Sequence, residues 1–291
     1  PVSATSAVLC FFVASGFYIC SALNSQYTKT SIFRYYLNRI LRIYPLYIVA
    51  LLITFVFLNE KNPDVFHFGD ENYGWLIDFS NISIFGLTIV RAIDPAVNTA
   101  WMWVPPAWSL DIEITFYIWA PLLVMGRKRV IISLLLSYFL TEHARIHIFN
   151  LPYAEEFYIV FPEMLFFFML GAASFYWIRP IPSIGWWLFA IILALLIFGQ
   201  FFSLSPFIAP RAETLEDTVE LARKSVSSNY ALLIYASFAI SLPHIFAATK
   251  NMRWDAYLGD MAYPIFILHW AIQNHALPTI TQNMEYYSYS M

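Results

Sequence analysis

The chain has 291 residues, 60% of them hydrophobic and 12% charged, and a net charge of −3 at pH 7. A soluble domain has too little interior to bury that apolar fraction, so lipid must act as solvent for much of the chain. The net charge says nothing about nucleic acid, and no such partner is expected, since the basic residues read as an orientation signal in the loops and not as a patch.

Windows of roughly 17 to 25 apolar residues place candidate spans near 4–23, 37–58, 108–125, 129–141, 158–178, 184–204, 229–248 and 258–277. Both faces of these spans are apolar, which predicts helices; the strands of a barrel would alternate and be shorter. The expected fold is all-α and integral to the membrane, a polytopic helical bundle forming one domain over residues 1–291.

The first span contains "FFVASGFYI" at 11–19, where Ser15 and Gly16 set two small residues among aromatics. Close helix packing accounts for the pair, and lining a site is the alternative. Cys10 and Cys20 sit ten residues apart on the same helix, about 15 Å along it. That is too far to bridge, and they read as packing residues. The second span begins in "SIFRYYLNRILRIYPLYI" at 31–48, with Arg39 and Arg42 three apart on one face at its inner end and Arg34 just before it. Guanidinium pairs hold phosphates bidentately, so a phosphorylated ligand could dock there; anchoring to lipid headgroups is the simpler alternative.

The outer loop 59–107 contains Trp75, Trp101 and Trp103 and an apolar patch, "NISIFGLTIV", at 81–90. The patch is too short to cross a bilayer and is expected to dip into the interface or pack on the bundle. It leads to "PPAWSLDIEITFYIWAPLL" at 105–123, which puts Asp111 and Glu113 into a stretch otherwise fit for lipid. Pro105 and Pro106 suit a helix start. Ser109 and Glu113 then share a face, and Asp111 points elsewhere. An acid at the bilayer centre costs about 2.5 to 3.5 kcal/mol, so Glu113 is expected to face a cavity and have partners. Asp111 is expected to be interfacial and hydrated, favoured by the helix dipole.

Beyond the short span at 129–141, His143 and His147 flank one helical turn beside Glu142, but no third ligand is apparent and no metal site is expected. In the loop 205–228, Thr214 and Asp217 of "TLEDTVELARK" have capping-box spacing and predict a short surface helix. Trp177, Trp186, Trp187 and Trp254 fall at the predicted inner boundary, as an aromatic belt would. His244, after Pro243, reads as structural, whereas His67 and His275 read as solvated. His269 lies well inside the last span, in "LGDMAYPIFILHWAIQ", and either bonds structurally or lines a site. No Walker loop, dinucleotide fingerprint or Cys/His metal motif is present.

Of the 16 Lys and Arg, ten fall in the proposed inner loops and six in the much longer outer ones, and most acids lie outside. This orients the first span from outside to inside. Pro1 then leads almost directly into a span without an initiating Met, so the chain is expected to be a fragment preceded by another span. A further helix could also follow the tail "TQNMEYYSYSM".

Five segments, "FFVASGFYI", "FRYYLNRILRIYPLYI", "PPAWSLDIEITFYIWAPLL", "MLFFFMLGAASFY" and "LGDMAYPIFILHW", resemble in order the signature segments of the membrane-bound acyltransferase 3 family, over about residues 7–273. The block Pro106, Trp108, Ser109, Leu110 and Glu113 carries the resemblance furthest. It implies a bundle of about ten transmembrane helices, about eight of them in this chain. It also implies a multi-pass protein, expected in a bacterial inner membrane. Such a protein moves an acyl group, expected to be acetyl, from cytosolic acyl-CoA to a hydroxyl of a glycan or lipid-linked saccharide. Acyl-CoA is then a donor substrate, and no permanently bound cofactor is expected.

By the same resemblance Arg39 and Arg42 match an Arg-x-x-Arg element linked with acyl-CoA use, with Arg34, Ser15 and Gly16 as further donor-site candidates. Glu113 matches a functional Glu; Ser109, Trp108 and His269 complete the catalytic candidates. Asp111 stands where the family more often has a small residue, and Ala271 where Pro commonly follows. The family's essential His lies in a first helix that this chain does not contain, so the chain is expected to be inactive alone. Arg42 and Glu113 are expected to stand most of a 30 Å hydrocarbon core apart, which would demand a relay or a deeply inserted donor. A transporter of a polar or anionic solute is the competing class, but it would usually show inverted repeats, and none is visible.

Overall fold

The computed structural model describes residues 4–27, 31–59, 74–88, 102–140, 161–203 and 229–271. Among them are nine helices and no strand: α1 (Ala4–Ser25), α2 (Ile32–Asn59), α3 (Gly74–Ser83), α4 (Ala107–Val124), α5 (Arg127–Phe139), α6 (Phe161–Trp177), α7 (Pro182–Ser203), α8 (Asn229–Thr249) and α9 (Arg253–Ala271). Each apolar segment read as a span falls on a helix. Three are long and apolar enough to cross a membrane, Ala7–Ser25, Ile32–Phe55 and Ala107–Val124, while Met164–Trp177 and Pro182–Ile191 are shorter apolar helices. Outward-facing Leu52, Leu135, Trp187 and Trp254 are exposed, as side chains meant for lipid or its interface would be. The expected surface helix in 205–228, and Glu142, His143, His147, His67 and His275, lie outside the described residues.

The chain divides into two compact units, one of Pro1–Ile32 with Phe116–Met252 and the other of Phe33–Thr115 with Arg253–Met291. In the first, α1 packs on α6 and α8, α8 packs on α7, and α5 packs on α6. Small residues set the approach of α1 and α6. A Cβ added to Gly16 would collide with the Phe168 carbonyl, and one added to Gly171 with the Val13 carbonyl. Lipid tails are as apolar as leucine, so association inside a membrane relies on such close backbone contact. Around it Phe168 stacks on Phe12 at 4.8 Å and on Phe116 at 4.1 Å, and Val13, Phe17, Ala239 and Leu242 form a buried cluster.

Polar groups in this unit close helix ends. The Tyr176 hydroxyl donates to Asn24 Oδ1 at 2.7 Å and accepts the Gly126 N–H at 2.8 Å. Gly126, at φ 121°, turns the chain out of α4 in a conformation that a side chain would strain. His244 Nδ1 accepts the Ile181 N–H at 2.9 Å, just before α7 begins, which is the structural role expected of it. Both cysteines are free.

Gly16→Ala is expected to destabilise the protein by about 1–3 kcal/mol, because the atom in the way is backbone and cannot rotate aside. That exceeds the roughly 1 kcal/mol gained in helix propensity. Gly259→Ala, with open space around its Cβ, should be neutral or stabilising. Thermal unfolding of the two variants in one detergent checks the contrast.

Candidate active site

The second unit holds the candidate residues of α2, α4 and α9. The start of α4 is built as the two prolines suggest. Ala107 N–H donates to the Val104 carbonyl at 2.8 Å, and the Ser109 hydroxyl closes the first turn on the Pro106 carbonyl at 3.1 Å. Ser109 is buried and Trp108 half-buried. Glu113 lies one turn further on, with 4% of its surface exposed. The acid expected to be shielded is shielded.

Asp111 departs from expectation. It is not hydrated at an interface; 1% of its surface is exposed. Its Oδ1 accepts the Gly86 N–H at 2.8 Å, and its Oδ2 accepts the Thr88 N–H at 2.7 Å together with the Thr88 hydroxyl. Three donors replace the water that the carboxylate has lost, and that is why burial is tolerated. The apolar patch at 81–90 supplies them: α3 ends at Ser83, and the chain runs on through Thr88 with Ile84, Leu87 and Thr88 buried and Ile82 and Phe85 exposed.

The α2 helix begins at Ile32, so Arg42 sits about 15 Å inside it rather than at its inner end. Arg34 and Arg42 are exposed, whereas Arg39 is half-buried with its guanidinium 5.9 Å from the centre of the Tyr35 ring. Tyr263 of α9 donates its hydroxyl to the Ile43 carbonyl at 2.9 Å and lies within electrostatic range of both Arg42 and Glu113. An electrostatic influence of both charges on one phenol places Arg42 and Glu113 nearer to each other than most of a core of about 30 Å.

Tyr263 also interacts electrostatically with Tyr47, and Tyr47 with Tyr44. The hydroxyls of Tyr44 and Tyr47 donate to the carbonyls of Ser83 and Asn81. Asn81 is itself buried, accepts the Trp103 N–H at 2.9 Å and donates to the Ile77 carbonyl at 3.0 Å. Sequence reasoning misses Tyr263, Tyr47 and Asn81. The available signal is that a phenol or amide in an apolar helix must find a partner.

The remaining candidates are not drawn into this cluster by any observed contact. His269 is exposed, and its Nδ1 pairs with the Phe266 carbonyl of its own helix. Ser15 and Gly16 belong to the other unit, where the packing of α1 on α6 accounts for Gly16. Among the described residues no group of three His, Cys, Asp or Glu could hold a metal ion. The arrangement therefore offers a water-shielded carboxylate, a phenol and a guanidinium, groups able to move a proton and to hold an anion.

No curated protein and no solved structure matches the chain. A family model described as an acyltransferase domain matches residues 2–282, nearly the whole length, as the five ordered segments lead one to expect. The chain belongs to the acyltransferase 3 family.

Proposed function

We propose that this membrane acyltransferase moves an acyl group, acetyl in the simplest case, from acyl-CoA to a hydroxyl of a glycan or lipid-linked saccharide. Its setting is a multi-pass bundle in a bacterial cell membrane, with the donor used from the cytosolic side. What supports the reading is a Glu113 carboxylate on α4 almost fully withdrawn from water, with Tyr263 bonded to the Ile43 carbonyl next to Arg42 on α2 and within electrostatic range of both charges. Acyl transfer to a hydroxyl needs a group that holds an anionic donor and a group that manages the acceptor proton.

Arg42, with Arg39 one turn earlier, suits the first task, because guanidinium forks match phosphate oxygens. Glu113 suits the second. As the acceptor oxygen forms its bond to the acyl carbon, the carbon–sulfur bond breaks and the CoA thiolate leaves. The hydroxyl proton passes to a base that Glu113 orients or supports. Tyr263 lies between the two tasks.

Membranes holding the protein at its natural full length, supplied with radiolabelled acetyl-CoA and a saccharide acceptor, test the assignment. Glu113→Gln should lower turnover by about 10²- to 10⁴-fold, the range for removing acid–base assistance. Replacing both Arg39 and Arg42 by Ala should raise the donor KM more than it lowers kcat. Tyr263→Phe should fall between wild type and Glu113→Gln. Wild-type turnover in folded Glu113→Gln would overturn the reading, as would solute flux across the membrane without any acylation.

A further inference from the structure

We infer that Asp111 is a positioning residue, whose carboxylate clasps the segment 84–88 and so fixes the turn of α4 that carries Glu113. This rests on the functional reading above and deepens it. The segment is held from two sides within one unit. From α4, Asp111 binds the Gly86 and Thr88 amides and the Thr88 hydroxyl. From α2, Tyr44 and Tyr47 bind the Ser83 and Asn81 carbonyls immediately before it. Those two helices carry Arg42 and Glu113, and Asp111 is only two residues from Glu113.

The segment would not adopt this course unaided. Ile84 has φ 61° and a fully buried side chain, and Gly86 has φ 88°. A β-branched residue in the left-handed region is strained and persists only where its surroundings over-determine it. Each Asp111 oxygen receives a backbone amide, so the acid is matched to the segment on both sides. Asn at this position could offer only one oxygen. Its NH2 group would face a second N–H, donor against donor, and leave a buried amide unsatisfied. Asp111 touches no reacting group in this scheme. It acts through Glu113, whose placement to within about an ångström governs the rate of an oriented reaction.

A double-mutant cycle in membranes holding the protein at its natural full length, with labelled acetyl-CoA, tests this, with activity expressed per folded protein counted as the monodisperse fraction in detergent. Asp111→Asn should lower kcat by about tenfold or more while leaving the donor KM within about twofold, because the arginine pair is intact. In a Glu113→Gln background the same change should cost less than about twofold, since the group it positions is already lost. Thr88→Val removes one donor of the three and should give a smaller loss with the same non-additivity; it carries the test if Asp111→Asn fails to fold. Thr88→Ser, which keeps the hydroxyl, should restore wild-type kinetics. Wild-type kcat in Asp111→Asn and Thr88→Val, or losses that multiply fully with that of Glu113→Gln, would overturn the positioning role while leaving the functional reading intact. Wild-type turnover in Glu113→Gln alone would instead overturn the functional reading and this role with it.

Discussion

A carboxylate withdrawn from water among apolar helices is tolerated only if donors replace its hydration. Asp111 meets that demand through two amides and a hydroxyl, all drawn from one short stretch of chain. The exchange works in both directions. The acid gains its donors, and a stretch of backbone that cannot pair with itself gains an acceptor for two amides deep in an apolar setting. The strained course of Ile84 and Gly86, the end of α3 and the beginning of α4 are tied together at this point. Asn81 and the tyrosines of α2 extend the same logic, each polar group ending on a backbone group that would otherwise be stranded. In this unit hydrogen bonds set the geometry.

The other unit is held differently. Its closest approach, α1 on α6, is made by backbone: two glycines let the backbones touch, and stacked rings fill the space around them. Polar groups appear where helices end, at Val124 and Gly126 and before α7, because there the backbone itself has unpaired donors and acceptors. The Phe168 carbonyl stands where a Cβ on Gly16 would lie, so close packing accounts for a glycine there.

Hydropathy makes the helical segments legible in the sequence, since a chain with this apolar content has few ways to satisfy its backbone. Glu113 is legible for the same reason, as an acid in the wrong solvent. Asp111 is not, because hydration and a clasp are equally available to a carboxylate near a helix start, and only the fold of 84–88 decides between them. The position of Arg42 is misjudged for a simpler reason. The apolar window begins at 37, whereas the helix begins at Ile32, and five residues are about 7.5 Å of axial rise. Tyr263 is hidden because a tyrosine in an apolar run reads as bulk, and its role comes from which helix lies opposite.

The intervening phenol explains how an acid and an arginine can share a site without cancelling one another. A buried, direct ion pair would strip water from both charges at several kcal/mol each and tie up the donors of the guanidinium. Here Glu113 is shielded and Arg42 is exposed, and Tyr263 is anchored to the Ile43 carbonyl within electrostatic range of both. The guanidinium then keeps its fork for an incoming phosphate, and the carboxylate is left to orient or support the base that takes the proton. In the proposed chemistry those tasks belong to different substrates, the thioester donor and the hydroxyl acceptor, so holding the two charges close but apart favours transfer between substrates over mutual neutralisation.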